Sequence, residues 1–411
     1  MFIVKPKLCY ASFMNQYFTL LKSEPILKKL SIIQLISYFG AWFSNVAIYT
    51  LLIQMDVEPQ TIAFVASLHF LAGVFQAPFS GSIIDSINPK KLMLFLIVIE
   101  IVATSFLVLV NQVSDLYLLY TLIFLKMAAA SFYFTTEMSI LPKIVSAKNL
   151  QNANELHSII WSLSYTLGMA ISGFVVYLLG VKVAFILDAC MFVISFTLLY
   201  NVDIKVVVVK TNENLFQMMG DTFRYIKSSP KAFHLMVIHA FVGLTAFDVL
   251  VALMVDKYYA SIIATSLALG LLHASRAIGL VIGPMLINKW LNNKFLVYVF
   301  ILQALAIWLW AYVMHNFYMS LVASVIVGLF TTTLWSYTYT LLHKNIEEKY
   351  YGRIIAYNDM LFLSSAALTS FSIGFLAQRD FSLEVITIFL GLGFVVGSVY
   401  YAWVLKMQDI S

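Results

Sequence analysis

Lys126, Ala130, Tyr133 and Glu137 follow one another at spacings of four, three and four residues. At about 100° per residue those positions share one narrow stripe of an α-helix, so an ammonium, a phenol and a carboxylate face the same way. Such a set can hold an ion pair, orient a polar solute or pass a proton. The setting gives it weight, because the residues around it are apolar over the length of a membrane span. A charged side chain in hydrocarbon costs from about 2.5 kcal/mol upward and is kept where it faces protein or a water-filled cavity. Glu100, Asp188, Asp248 and Arg276 sit in comparable runs, as do His239 and His273 at lower cost.

Lys126 lies ten residues into its run, about 15 Å deep at roughly 1.5 Å per residue. Glu100, nine residues from the end of the preceding run, reaches a similar depth, and a short hairpin joins the two. Glu100 is therefore the expected partner of Lys126. Two readings stay open: a pair that takes up and releases a proton, since burial and an opposite charge shift pKa values in opposite directions, or a permanent pair that fixes helix packing. His239 and Asp248 are nine residues apart, which puts them on opposite faces of a straight helix. Asp248 and Asp188 both lie near the outer ends of their runs, where a helix-start or packing role is expected for Asp188. Arg276 shares a face with Gly279 and Gly283, a small-xxx-small spacing that suits close helix packing, so a structural partner is expected for it. His239, Asp248 and Arg276 rank behind Glu100, Lys126, Tyr133 and Glu137 as coupling candidates.

Aromatic residues form two further stripes. Tyr38, Trp42, Asn45 and Tyr49 recur at four, three and four; Thr331, Trp335, Thr338 and Leu342 do the same, with Tyr339 on the flank. Walls of this kind suit a bulky, partly apolar solute, with Tyr38, Trp42, Asn45, Trp335 and Tyr339 as cavity candidates. Rings packed between helices, or an interfacial belt, are the alternative.

The elements that must carry these residues follow from composition. Of 411 residues, 62% are hydrophobic and 11% charged, and the mean hydropathy is +0.90. A soluble chain carries about 25% charge, so soluble domains are excluded. A bilayer core needs roughly 20 apolar residues in helix. Twelve windows meet this: 30–53, 61–84, 92–110, 116–136, 159–179, 183–200, 232–253, 267–287, 295–313, 317–342, 357–377 and 385–405. The gaps hold turn and charge signals such as Asn88-Pro89-Lys90-Lys91, Asn292-Asn293-Lys294 and His315-Asn316. Membrane β-strands would be about ten residues long and alternating; these runs are twice that and do not alternate.

The net charge of +5 comes from 25 Lys and Arg against 20 Asp and Glu. Lys182, Lys257 and Arg379 fall on one side of the twelve spans, Lys126 and Arg276 within them, and the other twenty on the opposite side. The positive-inside rule then puts both termini in the cytoplasm. The expected organisation is a cytoplasmic segment 1–29, a six-helix half 30–200, a cytoplasmic loop 201–231, a second half 232–405 and a tail 406–411. Met14 is an alternative start to Met1. Within the loop, Leu215, Phe216, Met219, Phe223 and Ile226 keep helical spacing, which predicts an amphipathic helix on the membrane surface; a solvated linker is the other reading. Matches recur at an offset near 201: Gly81 with Gly283, Leu141-Pro142-Lys143 with Leu342-His343-Lys344, and Gly173-Phe174 with Gly374-Phe375. Their common offset predicts a six-plus-six duplication.

The connection Gly81-Ser-Ile-Ile-Asp85-Ser-Ile-Asn-Pro-Lys90-Lys91 resembles the loop signature G-x-x-x-D-R/K-x-G-R/K-R/K of the major facilitator superfamily. Gly81, Asp85 and Lys90 match, as a gating-loop motif; Ser86 replaces a basic residue and Asn88 the second glycine. Within that family the chain is most similar to the enterobactin-exporter and macrolide-efflux branch. The residues that carry this are Gly40-Ala41-Trp42 with Ala47, Leu141 to Val145 running into Asn149 to Asn154, Ala184 to Asp188 with Phe192, and Gly352-Arg353-Ile354. Antiporters of the family often carry Gly-Pro in the fifth span, whereas Gly168 here precedes Met169. The resemblance implies an all-α, major-facilitator-like fold of twelve helices. It implies alternating access and export of a drug-like or siderophore-like solute against protons, by a monomer in a bacterial inner membrane.

Cys9 and Cys190 give neither a disulfide framework nor a metal site. No P-loop, nucleophile–base pair or basic nucleic-acid patch is present, so no enzyme activity, cofactor or nucleic-acid partner is expected. The expected partners are a small solute, protons and the bilayer. A solute importer of the same fold and a non-transporting membrane sensor or scaffold are the rivals.

Overall fold

The computed structural model describes residues 17–204, 215–287, 290–347 and 351–407, and it is almost wholly helical. Cys9 and both candidate start methionines lie outside the described residues. The twelve apolar runs form α1 (Pro25–Gln54), α2 (Pro59–Ser86), α3 (Pro89–Leu107), α4 (Leu116–Ile144), α5 (Leu150–Leu179) and α6 (Val181–Tyr200) in the first half. After a connecting helix α7 (Leu215–Ser228), the second half holds α8 (Pro230–Ala240) with α9 (Asp248–Met254) as one broken crossing. It continues with α10 (Thr265–Ile287), α11 (Asn293–Val313), α12 (Phe317–Asn345), α13 (Tyr351–Ala377) and α14 (Leu383–Met407). Eleven crossings are apolar and long enough to span a bilayer on composition alone. The remaining one, α3, carries Lys90 and Lys91 in its first turn and Glu100 at its centre.

The punctuation residues act where the sequence put them. Pro25, Pro59, Pro89 and Pro230 open their helices, where a missing N–H costs nothing. Asn88, Asn292 and Asn316 cap α3, α11 and α12 by accepting from Lys91 N, from Lys294 N and Phe295 N, and from Met319 N. In contrast, the seventh crossing breaks. A 3₁₀ stretch, Phe241–Thr245, follows α8, and Ala246 leaves helical geometry at ψ 74° before α9 begins.

Helix packing repeats between the halves. In the first, α2 packs on α4, α3 on α4 and α6, and α1 on α5. In the second, α10 packs on α12, and α11 on α12 and α14, while the broken crossing packs on α13. The halves meet through α2 against α13 and α5 against α10; the duplication exchanges these two crossings. Each has a glycine at its tightest point. A Cβ on Gly173 would stand 2.7 Å from the Ser266 carbonyl oxygen and 3.1 Å from Gly270 Cα. One on Gly374 would overlap Ala63 Cβ and stand 2.8 Å from the Pro59 carbonyl oxygen. These are the two glycines paired by the sequence offset. Both contacts lie toward the end of the bundle opposite the Lys-rich connections, here called the far end as against the basic end.

At the basic end, Tyr17 donates to Glu155 Oε2 at 3.0 Å, and Glu24 ties the start of α1 to the α4–α5 connection. Glu24 Oε1 accepts from Ser146 Oγ (2.6 Å), Ser146 N (3.2 Å) and Asn149 Nδ2 (2.9 Å). Those hydrogen bonds, from Ser146 first and Asn149 second, hold the Glu24 carboxyl below its ordinary range. A lowered pKa means that the clamp contributes fully above the ordinary carboxylate range and is lost as pH falls through the lowered value. E24Q is therefore expected to melt below wild type at neutral pH, with the gap closing on acidification. Thermal unfolding of both proteins against pH checks this.

α7 lies at this end against α2, α8 and α13. Phe223 packs edge-on against Tyr357 with ring centroids 5.4 Å apart, and Tyr225 Oη accepts from Glu347 N at 3.1 Å.

Candidate functional site

Lys126, Tyr133 and Glu137 are all buried on one face of α4, as the stripe requires. The partner of Lys126 is Asp188 of α6 and not Glu100: Lys126 Nζ lies 2.6 Å from Asp188 Oδ2, with side-chain exposures of 3% and 0%. Depth along a helix gives height but not direction around it. Asp188 is seven residues into α6 and Lys126 ten into α4, a height difference of about 4–5 Å that a lysine side chain spans. Asp188 is thus part of the charged cluster, not a helix-start residue. Ser44 Oγ of α1 donates to the same Oδ2. Asp188 Oδ1 has no partner, and Gly40 makes room for it, since a Cβ there would lie 2.5 Å away. Lys126 Nζ also stands 5.5 Å from the Phe192 ring centroid. Glu100 is 3% exposed and within Coulombic range of both Lys126 and Asp188. Toward the basic end, Tyr38 Oη donates to Glu137 Oε2 at 2.9 Å, while Tyr133 Oη is buried without a partner.

A second group bridges the halves. Asn45 Oδ1 lies 2.8 Å from His69 Nε2 between α1 and α2. Across the interface, His273 Nδ1 is 3.5 Å from Tyr165 Oη and 3.8 Å from Asp248 Oδ1. The broken crossing explains how Asp248 arrives here: the straight-helix relation between His239 and Asp248 does not hold across the 3₁₀ stretch. Arg276 secures that break by donating to the Thr245 carbonyl at 2.8 Å, with its guanidinium 5.0 Å from the Phe247 ring centroid. Gly279 and Gly283 pack closely against Val325, Gly328 and Leu329 of α12.

The third group lies in the second half. Trp335 stacks on Tyr339 with centroids 5.0 Å apart. The His239 ring stands 5.1 Å from Tyr339, 6.0 Å from Trp335 and 5.5 Å from Phe362 of α13. Tyr339 Oη donates to Asp359 Oδ1 at 2.9 Å. Opposite, Trp42 packs edge-on against Trp161 (5.6 Å) and Tyr165 (4.7 Å). These rings pack against neighbouring helices, while Tyr117, Tyr312 and Tyr318 are strongly exposed at the far end. Sequence reasoning missed Asp359, which sits near the start of its span, the half-buried His69 and the buried His157. A histidine within an apolar run was the available signal for the last two.

With this geometry in hand, residues 30–313 match the family model described as the Major Facilitator Superfamily. The chain belongs to that superfamily. Comparison with curated proteins finds no match. Among solved structures, the nucleoside transporter NupG superposes with a TM-score of 0.72 at 13% identity, covering 93% of this chain and 100% of its own. A bacterial homolog of the human lysosomal transporter Spinster, inward-facing and occupied, gives 0.74 at 12% identity, covering 94% and 98%. At such identities the likeness concerns the fold. In this superfamily member Gly81 and Asp85 close α2, and the side chain of Asp85 lies outside the described residues. Lys90 Nζ donates to the Tyr200 carbonyl at 2.8 Å, so it secures the last turn of α6 at the basic end.

Proposed function

We propose that the chain is a secondary transporter that exports a small, partly apolar organic solute in exchange for protons. It works as a monomer in a bacterial inner membrane, with the basic end and both termini in the cytoplasm. The observation that carries this is the charge count around Lys126. Asp188 and Glu100 share one ammonium in a site closed to water, and burying a surplus negative charge costs several kcal/mol. A proton on one of the two carboxylates removes the surplus, and a movement that admits water releases it. The contacts between halves at the far end support a cavity that opens at the basic end, with Tyr38, Trp42 and Trp335 on its walls. Rocking the halves about this site exchanges the open end.

E100Q removes the exchangeable proton while keeping the volume. In proteoliposomes it is expected to lose transport driven by an imposed pH gradient and to keep gradient-free counterflow. Full-rate transport by E100Q under the gradient sinks proton coupling, and absent counterflow in wild type favours a sensor. Solute accumulation in cells with and without the gene sets direction.

A further inference from the structure

The ring cluster around His239 offers more than apolar surface. Thr338 Oγ1 lies 2.7 Å from the Leu334 carbonyl and 3.1 Å from the Trp335 carbonyl, so its one proton is committed to the backbone. Toward His239 Nδ1, 2.8 Å away, the hydroxyl can only accept. The proton of the imidazole is thereby placed on Nδ1, and Nε2 is left as a lone pair. That atom is buried with no partner, although a buried acceptor without a donor costs about 1–3 kcal/mol. Around it stand the rings of Trp335, Tyr339 and Phe362, and behind Tyr339 the Asp359 carboxyl. Trp335 is 43% exposed, which opens the cluster on one side.

Each feature complements the same group. Aromatic faces attract cations, an imidazole lone pair accepts an N–H, and a carboxylate balances a positive charge. The cations within the spans are engaged elsewhere: Lys126 is held by Asp188, and Arg276 by the Thr245 carbonyl and the Phe247 ring. We infer that the cluster of His239, Trp335, Tyr339, Phe362 and Asp359 binds the protonated amine of an organic solute, its apolar body lying along the stacked rings. The inference rests on the transport reading above and narrows its solute to amines carrying an N–H.

A matched naphthyl series tests it on the purified full-length protein by equilibrium dialysis: naphthylethylamine, its trimethylammonium form, naphthylethanol and naphthylacetate. The amine is expected to bind about tenfold more tightly than the alcohol, whose O–H can still donate to His239 Nε2 but which lacks the cation–π contact and the charge-assisted strength of the hydrogen bond. The trimethylammonium form, which keeps the charge but has no N–H, binds less tightly than the amine, and the acetate is weakest. D359N and W335F each shrink the gap between amine and alcohol, and W335F guards against misfolding in the polar variant. Alcohol or acetate binding as tightly as the amine overturns the inference, as does an unchanged gap in both variants. Dialysis is independent of turnover. Selective amine binding without counterflow removes the transport reading alone; counterflow of the acetate in preference to the amine removes this inference alone.

Discussion

K126A is expected to be the most damaging single substitution in the first half, lowering stability by about 3–5 kcal/mol and abolishing transport. The reason lies less in the lost attraction than in what remains. Asp188 is fully buried, its Oδ1 already lacks a partner, and without Lys126 only Ser44 still donates to it. The orphaned carboxylate must then be protonated or draw water between α1, α4 and α6. If uncompensated charge is the cause, K126M/D188L should recover most of the lost stability, since apolar residues of similar volume commonly replace a buried ion pair without loss. Transport should not return, because the proton site is gone. Thermal unfolding in detergent, run as a double-mutant cycle beside pH-gradient-driven transport in proteoliposomes of the same variants, separates the two effects. A double variant no more stable than K126A would mean that the lysine acts through packing against Phe192 and not through its charge.

What could be read from the sequence, and what could not, follows from the same geometry. The α4 stripe was legible because helical periodicity fixes which residues share a face. The crossings were legible because apolar runs were bounded by Asn88-Pro89, Asn292 and Asn316, which cap or open helices in the structure. The identity of the Lys126 partner was not, since the direction of one helix around another is set by packing across four helices and leaves no local mark. The break in the seventh crossing was also hidden: its run contains no proline after Pro230. Its one trace is Gly243, where a Cβ would lie 2.7 Å from Ser365 Cβ and 2.8 Å from the Phe362 carbonyl oxygen, so α13 presses directly on the 3₁₀ stretch. Arg276 has the structural partner expected of it, the Thr245 carbonyl, whereas the opposite-face reading of His239 and Asp248 assumed a straight helix and fails at that break. The repeat was legible in part through residues whose size matters, as Gly173 and Gly374 show.

Those two glycines carry the second large effect. G173L/G374L is expected to hold the halves apart at the far end and to stop transport while the halves stay folded. Forcing a side chain into a packed crossing costs about 1–3 kcal/mol at each site. Inverting a two-state population from 99:1 to 1:99 takes about 5.5 kcal/mol, so the pair approaches a full inversion and either single variant gives a partial one. Ser67 reports on the change, because it is buried and donates to the Ala367 carbonyl across the interface at 3.0 Å. In a C9S/C190S background, S67C should resist a water-soluble thiol reagent and become reactive once the two leucines are added. G279L is the contrast: Gly279 sits against Val325 and Gly328 within one half, so it should lower the unfolding temperature without exposing Cys at position 67. If the thiol stays protected in G173L/G374L while the protein remains folded, the glycine crossings are not where the halves separate.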